Sequence, residues 1–276
     1  MKRAMMLIAI CAWCAGAQNA TAGSVEVTLA ATASLPRDAH GTAHVFAGDL
    51  LSVPLTVRGT LGERLEVQAD VVQITGDMVV PVGNPTTIIS VTAPSAKAGV
   101  EWSWRFQVPD LKREADLEIR FTAREDTGAW EPAGQWRLRI YPNHVLGPLR
   151  ILAARRMFRV WDPEGHLAVL LAAQGVEVTD WNARAPVATF RPPMNLVVGD
   201  MEKRGDITRR LAAGETVIVF KEQVASLPLV EVRRQAAGVL VTVQLKLLDD
   251  CQTDPRAQKT FLEIIRAAQP MGEPTT

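Results

Sequence analysis

The sequence predicts two domains of different class. An all-β antiparallel sandwich covers residues 23–142, and an α/β domain with a mainly parallel sheet covers residues 143–270. Three observations predict this. Apolar residues recur with period two from Ser24 to Tyr141, the repeat of half-buried strands. From Asn195 to Glu222, two β-branched runs flank a short amphipathic segment that ends at Gly214. That is the pattern of a strand, a crossover helix and a parallel strand. Pro142 and Asn143 separate the two regimes.

Residues 1–22 read as a secretory signal peptide. Lys2 and Arg3 precede an apolar run from Met5 to Ala15, and small residues follow in Ala15-Gly16-Ala17 and Ala20-Thr21-Ala22. The run is too short to span a bilayer comfortably. The expectation is a periplasmic or secreted chain, cleaved between Ala17 and Ala22, with no membrane span in its mature form. The full chain has thirty basic and thirty acidic side chains, and removing Lys2 and Arg3 leaves 28 against 30. Such balance offers no field of one sign to gather nucleic acid or anionic lipid. Cys11 and Cys14 leave with the signal, so Cys251 stands alone; of a reactive thiol, an intermolecular link and a buried, inert side chain, the last is expected. Residues 271–276 read as a tail.

In the first domain Val25, Val27 and Leu29 alternate with polar residues, as do Leu51, Val53, Leu55 and Val57. Leu65, Val67, Ala69 and Val71 repeat the pattern, followed by Ile89 and Val91. Leu117, Ile119 and Phe121 alternate with Asp116, Glu118 and Arg120, and Trp136, Leu138 and Ile140 with Arg137 and Arg139. Glycine, proline and aspartate punctuate these runs. About seven to eight strands fit this length. The half resembles the immunoglobulin-like domains of many exported bacterial proteins, on pattern rather than on a motif.

Trp102 and Trp104 lie two apart and share a strand face. Exposed, they would stack on sugar rings; turned inward, they fill the inter-sheet core, as aromatic residues in strands usually do. Trp130, near a turn in GAWEPAG, is a third candidate for an aromatic surface. Asp38, His40 and His44 bring metal ligands to mind, but no third ligand at a fixed spacing accompanies the histidines, and a solvated loop is expected.

In the second domain a helix is expected from Val145 to Arg156 and a strand from Met157 to Trp161. Asp162-Pro163 opens the next helix as cap and first residue, and Gly175 ends it. Val176 to Thr179 is the next strand. Asp206 is expected to cap the helix that Gly214 ends. Leu229 to Val232 and Gly238 to Leu245 are further strands. Asp254-Pro255 begins the last helix, to Ala268.

The order VVGD, GDITRRLAAGETVIVF, GVLVTVQL and TDPRAQKTFLEII, within Leu149 to Ala268, resembles the class I glutamine amidotransferase-like domain. More narrowly, it resembles the degenerate copies appended to exported bacterial proteins. An active member would place a nucleophilic cysteine on a sharp turn after a strand, with a histidine and an acid later. Phe220-Lys221-Glu222 occupies that neighbourhood without a cysteine, and no histidine follows His166. The resemblance therefore implies the scaffold without its thiol chemistry, in a setting of carbohydrate metabolism or the cell envelope.

Asp162, Asp180 and Asp200 each follow an expected strand, and Lys221 and Glu222 follow another. Ligands of open α/β sheets sit beyond such strand ends, where carboxylates hold Mg²⁺ or a polar ligand. The competing explanation is that Asp162 is a helix cap and the rest are loop residues. No glycine-rich phosphate loop occurs, and no cofactor is implied. The expected function is a non-catalytic binding or scaffolding protein with a protein or carbohydrate partner. The alternative is a metal-assisted hydrolase using those carboxylates. A third possibility is an accessory subunit of an envelope complex.

Overall fold

The computed structural model describes residues 25–30, 35–59, 63–92, 100–183, 191–199, 204–222 and 230–269. The expected signal and the tail lie outside the described residues. Among those described, no helix is long and apolar enough to cross a membrane.

Nine strands precede Pro142 among the described residues: β1 (Glu26–Leu29), β2 (Ala43–Phe46), β3 (Leu50–Arg58), β4 (Arg64–Thr75), β5 (Met78–Pro81), β6 (Thr86–Thr92), β7 (Val100–Gln107), β8 (Ala115–Glu125) and β9 (Glu131–Tyr141). The count exceeds the expected one because residues 78–92 run along β4 in two pieces, β5 and β6, interrupted at Gly83-Asn84-Pro85. One sheet has the order β1-β3-β7; the other has the order β2-β9-β8-β4-β5, with β6 also on β4. β2 runs parallel to β9, and the other pairs are antiparallel.

The alternation read in the sequence decides which side chains meet. Val53, Leu55 and Val57 from one sheet pack on Leu65, Val67, Ile119, Phe121, Leu138 and Ile140 from the other, so the half is a β-sandwich. The outward residues between them pair instead. Glu118 Oε1 accepts from Arg120 Nε at 2.9 Å, and Asp116 accepts from Arg139 Nε at 2.6 Å. β1 crosses β9 so closely that a Cβ on Gly134 would stand 2.2 Å from the Val27 carbonyl oxygen.

After Tyr141 come α1 (Pro148–Arg155), β10 (Phe158–Trp161), α2 (His166–Ala173), β11 (Thr179–Asp180), β12 (Met194–Val198), α3 (Arg204–Ala212), β13 (Thr216–Lys221), β14 (Val230–Gln235), β15 (Gly238–Gln244), α4 (Lys246–Asp250) and α5 (Pro255–Ala267). The sheet order is β11-β10-β12-β13-β15-β14. All neighbours are parallel except β14, which hairpins back on β15. Counted in chain order, the parallel strands run 2-1-3-4-5. β13 is buried on both faces: Ile218 and Phe220 join one cluster with residues of α1, α2, α4 and α5, and Val217 and Val219 join another with Leu211 of α3. A strand covered on both sides reads as a continuous apolar run, as TVIVF does.

Several local expectations change. Val176 does not start a strand, because its N–H donates to the Leu171 carbonyl at 3.0 Å and prolongs the end of α2; only Thr179 and Asp180 pair with β10. Pro163 is not the first helical residue, since α2 begins at His166 after a turn through Gly165. Asp206 sits in the first turn of α3, paired with Arg209 at 2.6 Å, rather than at its cap. α1 starts later than expected, at Pro148. The start of α5 is as read: Asp254 accepts from Arg256 N at 2.9 Å and Pro255 takes the first position. Phe261, Leu262, Ile264 and Ile265 form its buried face, each contributing about 1.5–3 kcal/mol.

The two halves meet where α5 lies beside β2. Arg256 Nη1 donates to the Arg37 carbonyl at 3.2 Å, and Lys259 Nζ bonds both carboxylate oxygens of Glu114 at 2.9 and 3.0 Å.

Candidate functional site

The parallel order reverses between β10 and β12, so the loops that follow Trp161 and Val198 flank the crevice in which open α/β sheets hold ligands. Asp162 opens the first of these loops. Its Oδ2 accepts from Leu167 N at 2.7 Å and Ala168 N at 3.2 Å, so the carboxylate serves the free amides at the start of α2. Asp180 is exposed, and its Oδ1 accepts from Asn182 N at 2.8 Å in a local turn. Lys221 and Glu222 are exposed beyond β13. Asp200 lies outside the described residues.

The register sets Asp180 beside Val160, and Val198 beside Phe220. β11 and β13 are three strand spacings apart, about 14 Å. Asp180 and Lys221 therefore share an edge of the sheet without meeting. Among the described residues no three His, Cys, Asp or Glu side chains gather to hold a metal ion.

Cys251 is fully buried at the end of α4, in the apolar cluster with Phe261 and Leu248. Burial, together with the charges of Asp250 and Asp254, pushes its thiol up to about 12. A thiol in such surroundings is protonated and shielded, the opposite of an activated nucleophile.

The aromatic candidates divide. Trp102 and Trp104 are half-buried and pack against the sandwich core, with Trp104 5.0 Å from Phe106 and 6.2 Å from Phe121 between ring centroids. Trp130 is half-buried, and the Arg124 guanidinium lies 4.6 Å from its ring centroid. Beside it, the turn between β8 and β9 borders a cleft of about 370 Å³ lined by Arg124, Glu125, Asp126 and Glu131.

Three features lay beyond the sequence reading. The first is an apolar arm: Met78, Val79 and Val80 of β5 are 63%, 47% and 51% exposed, and Val82 follows at 37%. Successive strand residues point to opposite faces, so the arm is bare on both. From Val71 to Thr92 the only charged residue is Asp77.

The second is a buried polar network under the start of the parallel sheet. Arg159 Nη1 reaches both oxygens of Glu215 at 3.0 Å; Asn195 Nδ2 and Arg210 Nη1 reach Glu215 Oε2 at 2.9 and 3.1 Å. Arg210 also covers the Trp181 ring at 4.2 Å. A polar residue inside an apolar strand, as in FRVW and MNLVV, was the available signal.

The third is His44, expected in a solvated loop. It lies on β2 and is buried, with Nδ1 3.1 Å from the Tyr141 hydroxyl and Nε2 3.4 Å from Asp38 Oδ2. His44 and Tyr141 occupy the outward face of their sheet, and α5 covers them.

No protein-family model matches the chain, and no curated protein matches it in sequence. Solved structures match at low depth. The chain is similar over 43% of its length to a Niemann-Pick type C2 protein from Japanese carpenter ant, at 14% identity and TM-score 0.31, covering 89% of that chain. It is similar over 43% to the apo form of the Calx CBD1 domain, at 15% identity and TM-score 0.28, covering 97% of that chain. It is similar over 37% to the class 5 fimbriae chaperone CfaA, at 16% identity and TM-score 0.28, covering 54% of that chain. Likenesses of this depth carry no argument about what the chain does.

Proposed function

We propose that this chain is an exported, non-catalytic binding or scaffolding protein of the bacterial envelope, built from an immunoglobulin-like sandwich and a degenerate amidotransferase-like domain. The exposed arm at Met78, Val79, Val80 and Val82 carries the reading. Contiguous apolar surface of this kind marks interaction sites. Edge strands are ordinarily guarded by charges, and this one has almost none. Its side chains are aliphatic, which suits a protein partner better than a sugar ring. Supporting it, Asp162 is engaged by helix amides, and Cys251 is sealed in the core. The parallel order 2-1-3-4-5 is that of flavodoxin-like sheets and fits the amidotransferase-like resemblance.

A thermal-shift series on the full chain, with Mg²⁺, Ca²⁺, Zn²⁺ and a panel of sugars, separates this reading from its rivals. The expected result is an unmoved Tm. A rise of several degrees with a divalent ion, lost in Asp180→Ala or Asp200→Ala, would favour the metal-assisted hydrolase. A rise with a sugar, lost in Trp130→Ala, would move the function to the cleft beside β8 and β9.

A further inference from the structure

We propose that the junction between the sandwich and the α/β domain is a pH-sensitive joint, in which protonation of His44 loosens α5 from β2. The proposal does not depend on the function argued above. It rests on how the His44 ring is served. Asp38 Oδ2, 3.4 Å from Nε2, only accepts, so the ring proton sits on Nε2. Nδ1 is then an acceptor and takes the Tyr141 O–H at 3.1 Å. Both nitrogens of the neutral ring are satisfied. A second proton makes Nδ1 a donor to the Tyr141 oxygen, and the hydroxyl hydrogen, displaced from Nδ1, must find another acceptor inside the joint.

The added charge also meets the groups that hold the domains together. Asp38 faces the ring from the loop before β2. Tyr141 faces it from β9, and Asp254 and Arg256 from the start of α5; Arg139, Glu114 and Lys259 act on the Tyr141 hydroxyl that the ring bonds. Most of the acids are already taken: Asp254 by Arg256, Glu114 by Lys259, and Asp38 by the amides of His40 and Thr42 at 2.8 and 3.0 Å. Arg256, whose Nη1 reaches across to the Arg37 carbonyl, is the cation the imidazolium would repel.

Burial first, and then the Arg256 charge, hold His44 below the ordinary imidazole value; Asp38 and Asp254 pull the other way without prevailing. The docked form therefore binds fewer protons than the undocked form. Docking is complete above the undocked value of about 6.5 and weakens as pH falls below it.

The chain has four histidines, and His44 is the buried one, while His40, His144 and His166 are exposed. The test is an imidazole NMR titration of the full chain, paired with amide exchange over residues 36–46 and 254–262 after correction for intrinsic rates. The expected result is a His44 midpoint below the ordinary imidazole value of about 6.5, with exchange at both segments rising as His44 protonates. His44→Gln keeps a donor for Asp38 and an acceptor for Tyr141, and removes that acid-dependent rise. If this variant does not fold, the wild-type chain decides, since opening must track the His44 titration. A His44 midpoint at or above about 6.5, or exchange that ignores His44 protonation, would overturn the proposal.

Discussion

Arg159 and Glu215 meet beneath the parallel sheet, with one guanidinium nitrogen 3.0 Å from both carboxylate oxygens. Arg210 shares the same carboxylate, so among the described residues one acid is paired with two largely buried cations. Removing one partner of such a pair leaves uncompensated charge in a poorly solvated place. Glu215→Ala is expected to cost about 3–5 kcal/mol in urea unfolding. A loss under about 1 kcal/mol, the value of an exposed pair, would show that solvent reaches the network.

Gly238 begins β15 where α3 turns into β13. A Cβ there would stand 2.4 Å from the Glu215 carbonyl oxygen and 2.8 Å from that of Leu211. Both neighbours are backbone and cannot swing aside. Gly238→Ala is expected to destabilise the α/β domain by about 1–3 kcal/mol, read as a shift in the urea midpoint at unchanged slope.

Acid should weaken the sandwich through Glu118. Burial raises its carboxyl, but hydrogen bonds from Arg120 and Arg137 outweigh that and hold it below the usual glutamate value. The folded chain then binds fewer protons than the unfolded chain near that value. Its stability is full above it and falls as pH drops through the lowered value. Between about pH 5 and pH 3, Glu118→Gln should flatten the loss of unfolding free energy seen in the parent chain. Parallel curves for the two would contradict this.

Cys251 should be silent toward a thiol reagent in the native chain and react once the chain is unfolded in urea. Its burial in the cluster around α4 and α5, and the raised thiol, both predict this. Rapid native labelling would mean that α4 opens readily.

Much of the architecture was legible because one rule governs each part. Leu117, Ile119 and Phe121 alternate with charged residues because one face of β8 meets the other sheet while the other meets water. TVIVF is unbroken because β13 is covered twice. Asp254-Pro255 announces α5 through purely local chemistry. What the sequence hid depends on contacts between distant segments. His44 and Tyr141 have the pattern of a solvated face, and only the docking of α5 buries them. The apolar run MVVP of β5 carries no sign in the sequence that it stays bare, yet nothing covers it among the described residues. The carboxylates after the parallel strands were identifiable as strand-end residues, but spacing along the chain does not reveal that β11 and β13 stand apart, or that Asp162 turns back onto α2.

The docking reading is tested most directly by a photo-crosslinking side chain placed at Val80 in cells that make the protein, with the same probe at the still more exposed Val169 of α2 as the control. The account predicts one discrete protein adduct from position 80, lost when Met78 and Val79 are changed to serine, and none from position 169. No adduct at position 80, or the same adducts from both positions, would contradict it.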